Sequence, residues 1–278
     1  MAYLLLSIIG SALISIIMRL STNRVSAKLS MLCANYFMCL SLAAAFSGFQ
    51  VFPTGEEGFG GTLGMGVFNG ALYLFSFILL QYNTGKSGVV LSSVFMNLGL
   101  LVPFVVSIVF FHEVPTWLHS IGFVLAVGAI VLMHFEKGAG EKTSLLPLIA
   151  LLLLGGGANA MSKVFDTLGA PALSQQFLFY TFGSAFFLCL TLVLTKKERP
   201  KAADALWGLL IGIPNFFSSK FLLASLSHLP AVVAYPTFSV GTILLVTVAG
   251  VLAFKEKLGK RQWLAMAAIL VALILLNI

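Results

Sequence analysis

The sequence contains 278 residues, of which 59% are hydrophobic and only 9% are charged, and its mean hydropathy is +1.05. A soluble domain carries about a quarter charged residues, so this composition excludes a soluble globular protein and indicates a membrane protein. In a membrane protein the basic residues behind the net charge of +7 usually determine orientation in the bilayer. We expect no nucleic-acid partner, because no soluble segment carries a basic stripe interleaved with aromatic residues.

Ten apolar segments are long enough to cross a bilayer. A hydrocarbon core of about 30 Å needs about 20 apolar residues per helix. Charges, prolines and glycines divide the chain into candidate spans, which we number 1 to 10: 2–20, 30–50, 62–82, 87–111, 116–135, 144–165, 170–194, 204–226, 230–254 and 261–277. The predicted fold is an all-α integral membrane protein with ten transmembrane helices.

The basic residues follow the odd-numbered spans. Fourteen of the sixteen lysines and arginines fall at the loops after spans 1, 3, 5, 7 and 9, and the other two are Lys163 near the end of span 6 and Lys220 within span 8. By the positive-inside rule these odd loops face the cytoplasm and both termini lie outside. We therefore expect a multi-pass protein of the plasma membrane, in a bacterium the inner membrane.

The chain contains an internal repeat. Residues 88–133 align without gaps on residues 231–276 at a shift of 143, which places Glu113 on Glu256. At shifts of 142 to 144 further pairs coincide: Gly66 and Gly70 with Gly208 and Gly212, Tyr73 with Asn215, Ser76 with Ser218, Ser92 with Tyr235, and Arg19 with Lys163.

This repeat predicts the domain organisation. A first five-span repeat covers 1–135, a connecting loop 136–143, and a second five-span repeat 144–278. Because five is an odd number, the two repeats have opposite orientations in the membrane, the 5+5 inverted repeat of many secondary transporters. We expect the paired glycines to allow close helix packing rather than to contact a ligand.

The end of each repeat carries a recognisable pattern. The stretches "FHEVPTWLHSIGFVLAVGAIVL" and "FKEKLGKRQWLAMAAILVALILL" resemble the closing pattern of the EamA-type domain in the drug/metabolite transporter superfamily. The C-terminal stretch and "IMRLS" (17–21) also resemble small multidrug resistance proteins. Those proteins carry a carboxylate eight residues before the basic residue of their first helix, whereas here Ser11 and, in the second repeat, Gly155 occupy that place.

The resemblance implies a central cavity surrounded by spans 3, 4, 8 and 9 together with spans 1 and 6. Uncharged polar residues on these spans are our candidates for substrate binding: Tyr73, Ser76, Ser92, Asn97, Asn215, Ser218 and Tyr235. The alternative role for each of them is an interhelical hydrogen bond, which polar side chains in membranes commonly make.

Lys220 is a further candidate for substrate binding. A lysine at the centre of a span costs about 2.5–3.5 kcal/mol on insertion scales. At about 100° per residue it lies about 140° from Asn215, away from the centre of the polar face of span 8, and its stem could nearly reach the outer interface near Leu226. Two interpretations remain open: snorkelling or a structural hydrogen bond, and contact with an anionic group of the substrate.

Two pairs of opposite charge are candidate gates. Arg19 and Glu256 are expected at the cytoplasmic face, and Lys163 and Glu113 at the outer face, each pair drawn from both repeats. The alternative is that the basic residues anchor the interface and the glutamates cap or solvate loop turns, since exposed pairs contribute only about 0–1 kcal/mol. If the pairs are gates, reversal of both charges should restore transport lost on reversing one.

The composition of the spans also limits the chemistry. All nine acids lie at loops or helix ends, which disfavours carboxylate-driven proton antiport. The spans hold no paired acids, metal-spaced histidines or serine–histidine set, and the three cysteines show no metal or redox spacing. We therefore expect no catalytic residue, no metal and no cofactor.

The predicted function is secondary transport of a small organic metabolite by alternating access. The lining polarity indicates a neutral, zwitterionic or anionic solute, and the resemblance favours amino-acid-like ones. The partners expected are this small-molecule substrate and the lipid bilayer, with the chain acting as a monomer or homodimer. Two alternatives are a multidrug or quaternary-cation exporter, and a non-transporting membrane scaffold or lipid-handling protein.

Overall fold

A computed structural model describes residues 1–22, 24–87, 89–134, 145–198, 200–255 and 259–278. Within these ranges the chain is helical and no β-strand occurs. The predicted connecting loop 136–143 and Glu256 lie outside the described residues.

The helices follow the predicted spans in order. Spans 1 to 5 are Ala2–Ser21, Lys28–Phe46, Phe59–Ser87, the pair Val89–Asn97 and Leu101–Phe111, and Trp117–His134. Spans 6 to 10 are Leu145–Leu168, Ser174–Thr195, Ala202–Leu226, Ala231–Phe254 and Lys260–Leu276.

The lengths of these helices suit a bilayer. Eight helices in the described part of the chain have at least 18 residues and the hydropathy needed to cross a membrane. Trp117–Met133 of span 5 is a shorter apolar helix, and span 10 has 17 residues. The all-α fold with ten membrane-spanning helices is thus confirmed.

Span 2 ends earlier than predicted. It ends at Phe46 rather than at residue 50, because Gly48 and Phe49 adopt left-handed conformations with φ of +62° and +61°. The Phe49 N–H donates to the Ala44 carbonyl at 2.9 Å and reverses the chain. The apolar composition of this segment did not reveal that turn.

Span 4 is interrupted near its middle. Leu98–Leu100 form a 3₁₀ turn between the two α-helical segments. Pro103 has no N–H to donate to the Gly99 carbonyl, so the α-helical hydrogen-bond ladder cannot continue through this point. Pro214 and Pro236, in contrast, lie inside continuous helices.

The contacts divide the chain into two compact units. The first contains Met1–Leu74 and Val164–Ser227, and the second contains Phe75–Lys163 and His228–Ile278. Each unit therefore combines segments of both predicted repeats.

Glycines bring the helices of the first unit close together. A Cβ at Gly208 of span 8 would lie against the Met31 carbonyl of span 2, and one at Gly66 of span 3 would lie 2.6 Å from the Tyr180 Cβ of span 7. Spans 3 and 8 correspond in the repeat, as do spans 7 and 2, so the same contact is made twice. These glycines serve helix packing, as predicted.

The second unit has its core between spans 5 and 10. Ala126 and Ile130 of span 5 and Ile269 of span 10 are fully buried there. Phe104 of span 4 stacks on Phe123 of span 5 with ring centroids 3.6 Å apart.

The repeat also determines how spans 4 and 9 end. His112 and Lys255 are equivalent at the shift of 143, and both are left-handed, with φ of +52° and +54°. Their N–H groups donate to the equivalent carbonyls of Ser107 and Gly250. Non-glycine residues adopt this conformation infrequently, so its occurrence at both ends is strong structural support for the repeat.

Candidate functional site

Glu113 of the second unit joins span 4 to spans 6 and 9. Its Oε1 lies 2.9 Å from Lys163 Nζ and accepts a hydrogen bond of 3.1 Å from the Ala231 N–H, and its Oε2 accepts one of 3.0 Å from the Val232 N–H. We call Glu113, Lys163 and these two N–H groups the Glu113 cluster. The structure thus brings together the two residues predicted for the outer gate.

The N–H groups that begin span 9 need a hydrogen-bond acceptor from elsewhere in the chain. Pro230 precedes its first helical residue and offers no side-chain cap. The first N–H groups of a helix lack intrahelical partners and carry partial positive charge, so a carboxylate is favoured there. Glu113 supplies it from the loop after span 4.

The Glu113 cluster is largely screened from solvent. The side chains of Lys163 and Glu113 are 10% and 15% exposed, and the Lys163 ammonium lies 5.7 Å from the Phe111 ring centroid. Removal of one partner of a buried pair costs about 3–5 kcal/mol, because the other charge stays behind unpaired. Loss of one partner is therefore far more costly here than at an exposed surface pair.

A second contact joins spans 6 and 9 one turn further along both helices. The buried Tyr235 hydroxyl donates to the Asn159 carbonyl at 2.5 Å. Asn159 precedes Lys163 by one turn, and Tyr235 follows Ala231 by one turn. Spans 6 and 9 are thus held together at two successive levels.

The remaining candidates of this unit lie on spans 3 and 4. Ser76 and Ser92 are buried, and the Ser76 Cβ lies 3.9 Å from where a Cβ on Gly155 would stand. Asn97 is half-buried, and its Nδ2 donates to the Ser93 carbonyl of its own helix at 2.9 Å, next to the 3₁₀ turn.

In the first unit, span 8 presents its polar residues to three different helices. Asn215 Nδ2 donates to Asn35 Oδ1 of span 2 at 3.1 Å. Ser219 lies near the Tyr73 hydroxyl of span 3, and the Tyr73 ring centroid lies 6.2 Å from that of Phe182.

The hydroxyl of Ser218 is hydrogen-bonded to span 1. It donates to the Ser7 carbonyl at 2.9 Å, while the Ser7 hydroxyl donates to the Ser218 carbonyl at 2.8 Å. Gly10 lies in the same contact, since a Cβ there would be 3.0 Å from the Ser218 Cβ. This reciprocal pair closes the interface between spans 1 and 8.

Lys220 lies on an aromatic ring. Its Nζ is 3.5 Å from the ring centroid of Phe46, the last residue of span 2, and 5.9 Å from that of Phe216. No carboxylate of the described residues lies within 4 Å of this ammonium group. The contact is a cation–π interaction of the kind worth about 0.5–2 kcal/mol.

The predicted cytoplasmic gate is only partly described. Arg19 is an exposed residue of the last turn of span 1. Its predicted partner Glu256 lies outside the described residues. In the described ranges, no group of three or more His, Cys, Asp or Glu side chains is placed to hold a metal ion.

Sequence patterns missed several partners of these residues. Asn35 and Asn159 were visible as polar residues within spans, but nothing in their spacing indicated which helix each would contact. One sequence feature could have indicated the capping role of Glu113. The stretch "HLPAVV" begins a helix without a local Ser, Thr, Asp or Asn cap, so the cap had to come from elsewhere.

Comparison with known proteins finds a transporter family that is similar to the second half of the chain. Residues 142–278 match the EamA-like transporter family. The matched region covers the predicted second repeat. This similarity supports the assignment to the drug/metabolite transporter superfamily.

Two further proteins resemble the whole chain or most of it. An uncharacterized protein of Haemophilus influenzae is 24% identical over 193 residues, which span 68% of this chain and 66% of that relative. A crystal structure with 12% sequence identity superimposes with a TM-score of 0.77 and covers 99% of this chain and 94% of its own. The chain thus shares its fold with a solved protein along nearly its full length.

Proposed function

We propose that this protein is a secondary transporter that moves a small organic metabolite across the membrane by alternating access. The observation that carries the proposal is the similarity of residues 142–278 to the EamA-like transporter family. The repeated glycine contacts and the repeated left-handed helix ends support it, since inverted repeats are the plan on which many carriers alternate between two states.

The substrate proposed is amino-acid-like and neutral, zwitterionic or anionic. The polar candidates on the spans are hydroxyl and amide groups, which bind such solutes by hydrogen bonds and have no negative charge to attract a cation. In the first unit we place Tyr73 and Asn215 in this role, and in the second unit Ser76, Ser92, Asn97 and Tyr235. Ser218 and Lys220 are assigned structural roles, because Ser218 lies in the tight contact with Ser7 and Gly10 of span 1 and the Lys220 ammonium lies on the Phe46 ring.

The Glu113 cluster is proposed as the outer gate. To open, span 9 would have to release both backbone N–H groups and Lys163 would have to leave Glu113. Substrate would drive this opening only if it bound the open state more tightly than the closed state. That difference in affinity is what any ligand needs in order to shift a conformational equilibrium. Arg19 and Glu256 are proposed as the corresponding cytoplasmic gate.

Coupling by exchange or facilitated diffusion fits the residues better than proton antiport. Ser11 and Gly155 stand where the small multidrug resistance proteins carry a carboxylate. A Cβ at Gly155 would already lie 3.2 Å from the Met96 sulfur, so an acidic side chain at this place would require Met96 to move.

Thermal-shift screening of the purified full chain with a panel of amino acids tests the substrate class. A ligand that binds the folded state raises the melting temperature with concentration. We expect a shift with at least one neutral, zwitterionic or anionic member and none with a quaternary ammonium cation. A shift with the cation alone would instead favour the exporter alternative.

A further inference from the structure

The first unit contains a groove that lies apart from the candidate residues. Spans 2, 7 and 8 line an apolar groove of about 380 Å³, a volume within the range of small-molecule sites. Its walls run from Ser30 to Phe37 on span 2 and from Val193 to Phe186 on span 7, with Leu209 of span 8 between them.

The length of the groove suits one leaflet of a bilayer. Seven residues separate Ser30 from Phe37, and seven separate Phe186 from Val193. At about 1.5 Å per residue each wall is about 10 Å long, whereas half of a bilayer core is about 15 Å thick. The walls beyond Ser30 carry apolar side chains, as an acyl chain requires.

Four lysines lie within one to four residues of the groove residues Ser30, Val193 and Pro200, all at the same end of the groove. Lys28 begins span 2, Lys196 and Lys197 follow span 7, Lys201 precedes span 8, and all four are exposed. Among the residues that the structure describes, no carboxylate lies within 4 Å of these ammonium groups.

The two acids at this end are already bound by other groups. Glu198 Oε2 accepts hydrogen bonds from the N–H and the hydroxyl of Ser30 at 2.8 and 2.7 Å. Asp204 accepts from the N–H groups of Ser26 and Lys201, each at 2.8 Å. These hydrogen bonds come from neutral groups and leave both carboxylates charged, so the four lysines exceed the two acids by two positive charges.

We propose that this groove binds one acyl chain of an anionic phospholipid, with the phosphate held by the lysines at its charged end. Clusters of lysine and arginine beside a membrane attract anionic headgroups, and the apolar walls provide the site for the chain. The site is separate from that of the transported solute, so the proposal does not depend on the proposed function.

Native mass spectrometry of the detergent-purified full chain tests the proposal. The protein is mixed with equal amounts of phosphatidylglycerol and phosphatidylcholine, and retained lipid is counted. Each lysine near a membrane surface contributes about a fivefold preference for the anionic lipid. We expect phosphatidylglycerol to be retained at least fivefold more than phosphatidylcholine, and Lys196→Gln/Lys201→Gln to remove most of this preference.

Matched variants separate this site from general attraction to a basic protein. Lys86→Gln/Lys260→Gln removes the same charge from the second unit and should leave the preference intact. Leu190→Trp fills the groove and should reduce retained lipid, while Leu188→Trp, an exposed neighbour outside it, should not.

Three results would overturn the proposal. The first is an equal loss of preference in the two lysine variants, and the second is unchanged lipid retention in Leu190→Trp. The third is a dimer that Leu190→Trp dissociates without changing retained lipid, since a second copy of the chain would then be the occupant.

Discussion

The Lys163 ammonium lies 2.9 Å from the Glu113 carboxylate, and the same carboxylate accepts the N–H groups that begin span 9. One side chain thus compensates a buried charge and caps a helix. Any change at Glu113 therefore has two consequences, and variants of this cluster must be chosen so that the two can be separated.

Glu113→Gln should destabilise the protein by about 3–5 kcal/mol, because Lys163 is left buried without a counter-charge. Glu113→Gln/Lys163→Met should recover much of this loss, since no unpaired charge remains and the glutamine oxygen still accepts one N–H of span 9. Thermal unfolding of the purified variants measures both effects. Equal melting temperatures for the single and double variants would show that the ion pair contributes nothing.

The structure changes what charge reversal at this pair should do. Lysine at position 113 offers no acceptor to the Ala231 and Val232 N–H groups, so Glu113→Lys/Lys163→Glu leaves the start of span 9 uncapped. We expect no restoration of stability or transport in the doubly reversed variant. Full restoration would mean that the cap is dispensable.

Helix contact at Gly208 should be sensitive to one added carbon. Gly208→Ala places a Cβ against the Met31 carbonyl and 2.7 Å from the Ala34 Cβ, so we expect a loss of about 1–3 kcal/mol from overpacking. Gly64→Ala is the matched control, because nothing lies within 4 Å of the added carbon and alanine favours the helix by about 0.5–1 kcal/mol. A lower melting temperature for Gly64→Ala than for Gly208→Ala would contradict this account of helix packing.

Lys220→Met should fold and retain transport. The apolar side chain keeps the contact with Phe46 and removes the cost of a charge within span 8, against a cation–π contribution of about 0.5–2 kcal/mol. The readouts are melting temperature and substrate uptake in proteoliposomes. A well-folded Lys220→Met variant without uptake would assign Lys220 to the substrate after all.

Tyr73→Phe should weaken substrate binding without unfolding the protein. The ring keeps its contact with Phe182, while the hydroxyl and any hydrogen bond that it makes to a solute are lost. We expect the apparent affinity for a transported solute to fall about fivefold to tenfold, the equivalent of one hydrogen bond of about 1–1.5 kcal/mol. An unchanged affinity would remove Tyr73 from the proposed lining.

Orientation in the membrane can be measured with single cysteines. Glu57→Cys lies in the loop after span 2 and Lys197→Cys in the loop after span 7, and both positions are exposed. The positive-inside rule predicts that a membrane-impermeant maleimide added to intact cells labels position 57 and not position 197. The native cysteines provide a low background, since all three are buried. The reverse pattern would place both termini in the cytoplasm.

The sequence predicted the spans well because hydrophobic length is a direct physical requirement of the bilayer. It also predicted that Gly208 and Gly66 each pack closely against another helix, since the two occupy equivalent positions in the repeat. Local turns were harder: the left-handed residues after Phe46 and the 3₁₀ turn in span 4 depend on backbone geometry that composition does not report.

Side-chain partners were the least predictable feature. Asn215 and Ser218 of span 8 were both candidates for lining one cavity, yet Asn215 contacts span 2 and Ser218 contacts span 1. Helical periodicity gives the direction of a side chain around its own axis, but the helix that it meets depends on the tertiary arrangement.

Flux measured in proteoliposomes tests the central claim most directly. The purified full chain is reconstituted, the vesicles are loaded with an unlabelled amino acid, and entry of the same amino acid in radiolabelled form is followed. We predict uptake above that of empty vesicles for at least one amino acid that also raises the melting temperature, and reduced uptake in Glu113→Gln/Lys163→Met. Absence of flux for every ligand that stabilises the folded protein would contradict transport by alternating access.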